Sequence, residues 1–472
     1  MEYLAVLGLG TAAIVLLGIA LFSIRRDAGI IAGIGALYYW SLYGGWSIVI
    51  DKMGGFSGKH YHYLERKLFP IFLDQSYLTS LLLYIAFILI VEVVLWVSLS
   101  GRKERPMPRL ALRHEPILFV GILAGIASYL IIRDKLAAAW ALNTSAYWYT
   151  RSQTDEWFTA HQVLNRIALI PPAIGFATLA AGRSSKYFVN VVRRYTWWGY
   201  AVLFAGMLTF TFILGNKNEV FTALLTGVLA YAASVKRVHF VKLGLVGLAG
   251  LWLLYGIDFF RGTPISSMAS AVTERAEEAT EVGRFVTSSN ETFAAHFSMY
   301  GTLANNVEPK FGYSLYSLAC SIIPRVLWKD RPRDIYLYYS ESVGAIQNQG
   351  YSLHHATGWF LNFGYAGIAL GAGLMGLVWA WCLNLPSRIR ERSGLFLRLF
   401  AIIGPWVFVA GLPPLLRAGP EGYKGLLVEG VAVPLLIFAI ACRPKRKRKS
   451  AVVWDPRSGW MFSRPRGSFA SA

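Results

Sequence analysis

Charged residues are scarce and one-sided in this chain. They make up only 15% of its 472 residues, and 46 basic side chains face 26 acidic ones. A soluble globular protein is excluded, because such a protein carries far more charge on its surface. Cysteine is rarer still. Cys320, Cys382 and Cys442 stand far apart, which argues against a disulfide framework and offers no metal-ligand spacing. There is no GxxxxGK(S/T), HExxH, GxSxG or CxxC, and no outward DxD pair. Nucleotide, zinc and serine hydrolysis therefore lack their side chains, and any catalysis is expected to need neither metal nor cofactor. No internal repeat with matching Gly/Pro-broken helices is present, which argues against a two-halved transporter. The amino terminus lacks a basic region and a small-residue cleavage site, so its apolar run reads as a first membrane span.

What the chain does have is hydrocarbon: 55% hydrophobic residues and a mean hydropathy of +0.45. Runs long enough to cross about 30 Å of bilayer follow one another at 3–23, 28–50, 77–99, 116–132, 164–182, 197–215, 219–235, 239–259, 359–383, 396–415 and 425–442. The expected fold class is an all-α polytopic membrane protein of about eleven spans. Eight lie within 1–259, a large loop fills 260–358, three more spans lie within 359–442, and 443–472 form a basic tail.

Every second connection is basic: "RRD" at 25, "GRKERPMPRLALRHEP" at 101, "GRSSKYFVNVVRRY" at 182, "KRVHFVK" at 236, "PSRIRERSG" at 386 and "RPKRKRKS" at 443. The positive-inside rule assigns these to the cytoplasm. The amino terminus and the loops near 51–76, 133–163 and 260–358 then face outward, together with the hairpins "GNKNE" and "RAGPEGYKG". The net charge of +20 is accounted for as a topology signal, and no nucleic-acid partner is expected.

One cluster escapes that explanation. "CSIIPRVLWKDRPRD" at 320–334 places Arg325, Lys329, Arg331 and Arg333 on the outward side, where the rule gives no reason for them. They read either as a headgroup-facing loop with Trp328 at the interface, or as an anion site using planar, permanently charged guanidinium groups. The same loop begins with a stretch that reads as a solvent-facing scaffold helix, "SSMASAVTERAEEATEVGRFVTSSN". It continues with a segment rich in Tyr, Asn, Gln and His, which suits either a sugar-binding cleft or an aromatic belt. A short apolar piece at 313–323 is too brief to span.

Further cations stand at outward helix ends: Lys217 in the hairpin joining the sixth and seventh spans, and Arg417 after a Pro-broken helix end. Such charges are costly beside lipid unless paired, solvated or snorkelling, so each is a functional candidate. Possible proton acceptors are His354 and His355, adjacent and hence facing different ways. His161, taken to lie in the loop before the fifth span, is a weaker candidate and reads as structural. Glu92 and Glu429 lie inside apolar runs and should be neutral, paired or beside water. Glu421 and Asp258 are placed to hold arginines in position.

The order "GNKNEVFTALL", "SLACSIIPRVLWKDRP", "HHATGWFLNFGYAGIALGAGLMG", "LLRAGPEGY" over residues 210–440 resembles the Wzy-type oligosaccharide repeat-unit polymerases, the O-antigen polymerase family. The "IPR…W…RP" element followed by "NFGYAGI" is its most specific part; before residue 210 the likeness is one of hydropathy only. The resemblance implies a GT-C-like glycosyltransferase of the bacterial cytoplasmic (inner) membrane, with its active site on the outer face. Its substrate would be a polyprenyl-pyrophosphate-linked oligosaccharide held among membrane lipid, with a separate chain-length regulator as a further partner.

By that resemblance Lys217, Arg325 and Arg417, with Arg331 of the same cluster, would contact the pyrophosphate, and His354 or His355 would act on the acceptor hydroxyl. The chain departs from the family pattern at Gly358, where an acidic residue is frequent, and at Lys217, where arginine is common. Competing readings are an O-antigen ligase-like transferase, a transporter of lipid-linked oligosaccharide and a structural subunit of an envelope assembly.

Overall fold

Among the described residues, seven helices are long and apolar enough to cross a membrane, as expected of a chain whose backbone N–H and C=O groups must be satisfied without water. The computed structural model describes residues 2–24, 45–46, 74–100, 109–141, 156–214, 218–235, 240–259, 291–321, 323, 328, 330–344, 352–389, 393–411, 415, 418–442, 453–454 and 461–462. The span expected at 28–50 lies almost wholly, and the scaffold helix expected at 266–290 wholly, outside the described residues.

The helices are α1 (Glu2–Ile24), α2 (Gln75–Leu99), α3 (Glu115–Ala141), α4 (Glu156–Ala181), α5 (Thr196–Leu214), α6 (Asn218–Ser234), α7 (Phe240–Phe259), α8 (Glu291–Ala304), α9 (Tyr313–Cys320), α10 (Ile335–Ser342), α11 (His355–Arg388), α12 (Leu395–Ala410) and α13 (Gly422–Ala441). Of these, α6 and α12 are apolar but shorter than the seven spans. In the body, α2 packs against α1 and α11, α4 against α3 and α6, and α12 against α6 and α13. The outward faces keep large apolar side chains exposed, Leu9, Leu16, Val97, Phe119 and Trp198 among them, as a lipid-facing surface requires. In the tail, Val453–Trp454 pairs antiparallel with Met461–Phe462.

The two ends of the bundle differ in the way the charge pattern predicts. Strand β1 (Leu110–Arg113) pairs in parallel with β2 (Phe188–Val191), joining two connections that both carry the basic signal. Around this ladder Arg113 donates to the carbonyls of Ile440 and Ala441, Lys186 N–H to Ser234 O, and Asn384 Nδ2 to Ser98 O. Helix termini expected inside therefore meet one another. At the other end Tyr3 Oη donates to Asp74 O, and Asp74 caps α2 by accepting from Tyr77 N–H at 2.8 Å.

The apolar run around 359–383 is not one straight span. Backbone angles leave the helix at Phe363 (φ −141°, ψ 17°) and Gly364 (φ 61°, ψ −144°). Beyond that break Gly367 lies against the carbonyl of Trp359 and Gly371 against its indole ring. In a continuous helix eight residues would hold the first pair about 12 Å apart. The chain has therefore turned back, and α11 is a short helix, 355–362, folded onto a span that starts near 365. Only glycine adopts the Gly364 angles without strain.

Candidate functional site

The short helix 355–362 is where segments expected to face outward converge. His354 caps its amino end, with Nδ1 accepting from Ala356 N–H at 3.1 Å. Behind it lies a buried polar layer made by α2, α8 and the start of α11. Tyr77 Oη sits 2.9 Å from His296 Nε2, and Tyr84 Oη donates to His296 O at 2.8 Å. Ser298 Oγ accepts from His354 N–H and lies 2.9 Å from Thr357 Oγ1. The His354 ring meets Tyr84 edge-on at 4.4 Å. Burial, with His355 and His296 nearby, holds the His354 imidazole well below its ordinary range, so it is neutral.

On the opposite side the short helix seats the segment 418–422. His355 Nε2 accepts from the Trp359 indole N–H at 3.1 Å. Indole can only donate, so the proton of the neutral ring is on Nδ1, which donates to Ala418 O at 3.0 Å. Gly358 then meets Gly419 and Pro420 so closely that a Cβ would lie 2.9 Å from Gly419 Cα. That approach explains why glycine stands where the resembled family often has an acidic residue. Asn362 locks the third side: Oδ1 accepts from Ser314 N–H at 2.9 Å while Nδ2 donates to Gly358 O at 2.6 Å. These bonds dock α9 on the turn.

Glu421 ties the loop that carries the basic cluster to the last helix. Its Oε1 accepts the N–H of Ile335, the first residue of α10, at 3.0 Å. Burial pushes the Glu421 carboxyl up to about 7 despite that bond, with the Asp334 charge adding to the rise. In the same loop Arg331 Nη1 donates to Ser321 O and Ile323 O, at 3.1 and 3.0 Å, closing the carboxyl end of α9. Lys310 Nζ lies 3.9 Å over the Tyr338 ring.

Beside this assembly α4, α6, α12 and α13 enclose a cavity of about 420 Å³, within the range of small-molecule sites. Its wall is mixed. Glu219 and Thr222 come from the first turns of α6, Ser352 from the approach to α11, and Arg166 from α4. Ile170, Val407, Leu415 and Leu426 add apolar surface. Gly425 and Gly430 also line it, on the part of α13 wound as a π-helix; such bulges are frequent at functional sites.

The expected residues fall differently. Lys217, Arg325 and Arg417 lie outside the described residues, as do the side chains of Glu429 and Asp258. In the chain Lys217 stands two residues before Glu219, and Arg417 stands between Leu415 and Ala418, all three of them on the cavity wall. Arg331, His354 and His355 do not line it; His355 touches it only through Ala418.

His161 is not in a loop. It is buried within α4, where Nδ1 lies 2.7 Å from Ser128 Oγ and Nε2 3.3 Å from Asn165 Nδ2, a polar tie between α3 and α4. The apolar run taken to begin at 164 extends back by two turns, and this moves His161 inside. Glu92 is buried mid-helix, and among the described residues neither carboxyl oxygen has a hydrogen-bond partner, so of the neutral, paired and water-side states expected, the paired one is not met there.

Sequence reasoning missed Arg166, Glu219, Thr222 and Ser352. For Glu219 a signal was present, since it sits within the quoted hairpin "GNKNE"; for Arg166 and Ser352 there was none, because only the packing of four helices brings them together. None of the protein-family models, curated proteins or solved structures compared with this chain matches it.

Proposed function

We propose that the protein is a membrane glycosyltransferase that polymerises polyprenyl-pyrophosphate-linked oligosaccharide repeat units into a surface polysaccharide, such as O-antigen, capsule or exopolysaccharide, at the outer face of the bacterial inner membrane. The observation that carries the reading is a cavity lined both by polar Arg166, Glu219, Thr222 and Ser352 and by apolar Ile170, Val407, Leu415 and Leu426. A lipid-linked glycosyl pyrophosphate combines the same two characters, a charged and hydroxylated head on an isoprenoid chain. Lys217 and Arg417, adjacent in sequence to wall residues, supply the cations such a head needs, joined by Arg166. Arg325 of the basic loop is assigned to the same pyrophosphate, whereas Arg331, bonded to Ser321 O and Ile323 O and not on the cavity wall, is not.

Departure of the pyrophosphate leaves negative charge on its bridging oxygen. Preorganised cations stabilise that charge, and removing one such donor costs about 10²-fold to 10³-fold in rate. His355 and Gly358 seat the segment that begins at Ala418, the residue after Arg417, and the mechanism requires preorganised cations of this kind.

The test is the electrophoretic profile of surface and lipid-linked glycans from cells lacking the gene, complemented with wild type, Arg417→Ala or Arg325→Ala. A wild-type ladder that collapses to single repeat units in the deletion and in the variants supports polymerisation. Long polymer retained on its lipid carrier in the deletion would instead identify a ligase.

A further inference from the structure

Among the described residues, the one carboxylate on the cavity wall is Glu219. It is 3% exposed and lies in the first turn of α6, where the positive end of the helix dipole favours a negative side chain. Thr222, three residues on, shares its helix face and also lines the cavity, as does Arg166 on the neighbouring helix α4. A carboxylate, a hydroxyl and a guanidinium thus share one enclosure. The two histidines that might have served as proton acceptors are committed elsewhere. His354 Nδ1 caps a helix, and both ring nitrogens of His355 are engaged with Trp359 and Ala418.

We propose that Glu219 is the general base of the glycosyl transfer, receiving the proton of the attacking sugar hydroxyl; the inference rests on the function proposed above. The acceptor oxygen forms a bond to the anomeric carbon as the bond from that carbon to the pyrophosphate oxygen breaks. The electron pair of the broken bond leaves on the pyrophosphate, and the hydroxyl proton passes to the Glu219 carboxylate. One glycosidic bond replaces one glycosyl phosphate bond, and no oxidant, reductant or metal is consumed. Carboxylates serve as bases in sugar chemistry elsewhere. Thr222 is placed to hold a sugar hydroxyl, and Arg166 to face the departing charge.

The experiment uses the full-length protein purified in detergent and, as substrate, the lipid-linked single repeat units extracted from cells lacking the gene. Rates of dimer formation are followed against pH for wild type, Glu219→Gln and Glu219→Asp, with size-exclusion profiles to check folding. The Gln variant should lose about 10²-fold to 10⁴-fold in kcat with KM little changed, and should lose the limb of the pH profile on which the wild-type rate rises with pH. The Asp variant should be slower than wild type but keep that limb.

A Gln variant within about threefold of wild type, with the limb intact, would overturn the assignment while leaving the polymerase reading in place. Wild-type protein that makes no dimer from this substrate would overturn the polymerase reading itself, and the base with it. Should the Gln variant not fold, the Asp variant carries the test: a wild-type rate and an unchanged profile at this withdrawn carboxylate would sink the proposal.

Discussion

Glu421 Oε1 accepts the backbone N–H of Ile335 at 3.0 Å, so the amino end of α13 and the loop holding Arg331 and Arg333 are joined through one carboxyl group. Burial pushes that carboxyl up to about 7 from an ordinary value of 4.5. A carboxyl whose folded pKa is raised is at its least costly when both states are protonated. Its penalty therefore grows as pH rises from about 4.5 to about 7 and is constant above. Glu421→Gln keeps the accepting oxygen and removes the titration. In thermal unfolding from pH 4 to 8.5, wild-type Tm should fall relative to the Gln variant across that window. A constant difference would show that Glu421 does not titrate there.

Gly358 and Gly364 are expected to resist even alanine, for different reasons. At Gly358 the added methyl meets the Gly419 backbone at 2.9 Å, and overpacking of this kind costs about 1–3 kcal/mol. At Gly364, φ of 61° with ψ of −144° is essentially closed to other residues, at a cost of about 1–3 kcal/mol. Each variant should lower Tm in detergent. Gly373, where an added Cβ meets nothing within 4 Å, is the control: its alanine variant should leave Tm unchanged or raise it.

His354 is a helix cap held neutral by burial. Asn is a good cap, so His354→Asn should keep most of the folded yield, whereas His354→Ala should lose about 1 kcal/mol. Because the folded pKa is lowered, the unfolded chain takes up a proton first as pH falls below about 6.5. Wild-type stability should therefore drop on acidification below that pH, and the Asn variant should drop less. Equal acid sensitivity in both proteins would remove His354 from the account.

Among the described residues neither oxygen of the buried Glu92 has a hydrogen-bond partner. Replacing an unsatisfied buried polar group by an apolar one of similar shape recovers about 1–3 kcal/mol, so Glu92→Met should unfold at higher temperature than wild type. On the function proposed, the same variant should restore the glycan ladder in the complementation assay. A stabilised but inactive Glu92→Met would show that the carboxyl is kept for function at the expense of stability.

Much of the architecture was legible because it depends on one local property at a time. The helices α2, α5 and α13 start and stop within a few residues of their apolar runs, since a bilayer-length stretch of Leu, Ile, Val and Ala has no better option than a helix. The charge alternation that sets apart the two ends needs only a count of Lys and Arg in successive loops. Those loops do meet, in the ladder of β1 and β2 and around Arg113.

What the sequence could not decide depends on distance in space. "NFG" in a glycine-rich apolar run looks like the interior of a span, and only the contact of Gly367 with Trp359 reveals a reversal there. His354 and His355 are chemically suited to proton transfer, yet their nitrogens are taken up by Ala356, Trp359 and Ala418. Arg166, Glu219 and Ser352 lie up to 186 residues apart in the chain and share a wall only because α4, α6, α12 and α13 close around one cavity. By itself the sequence determined that this chain is helical and membrane-embedded, because hydrophobicity acts on each segment independently. The tertiary structure decided which polar groups face one another, because that depends on how the segments pack.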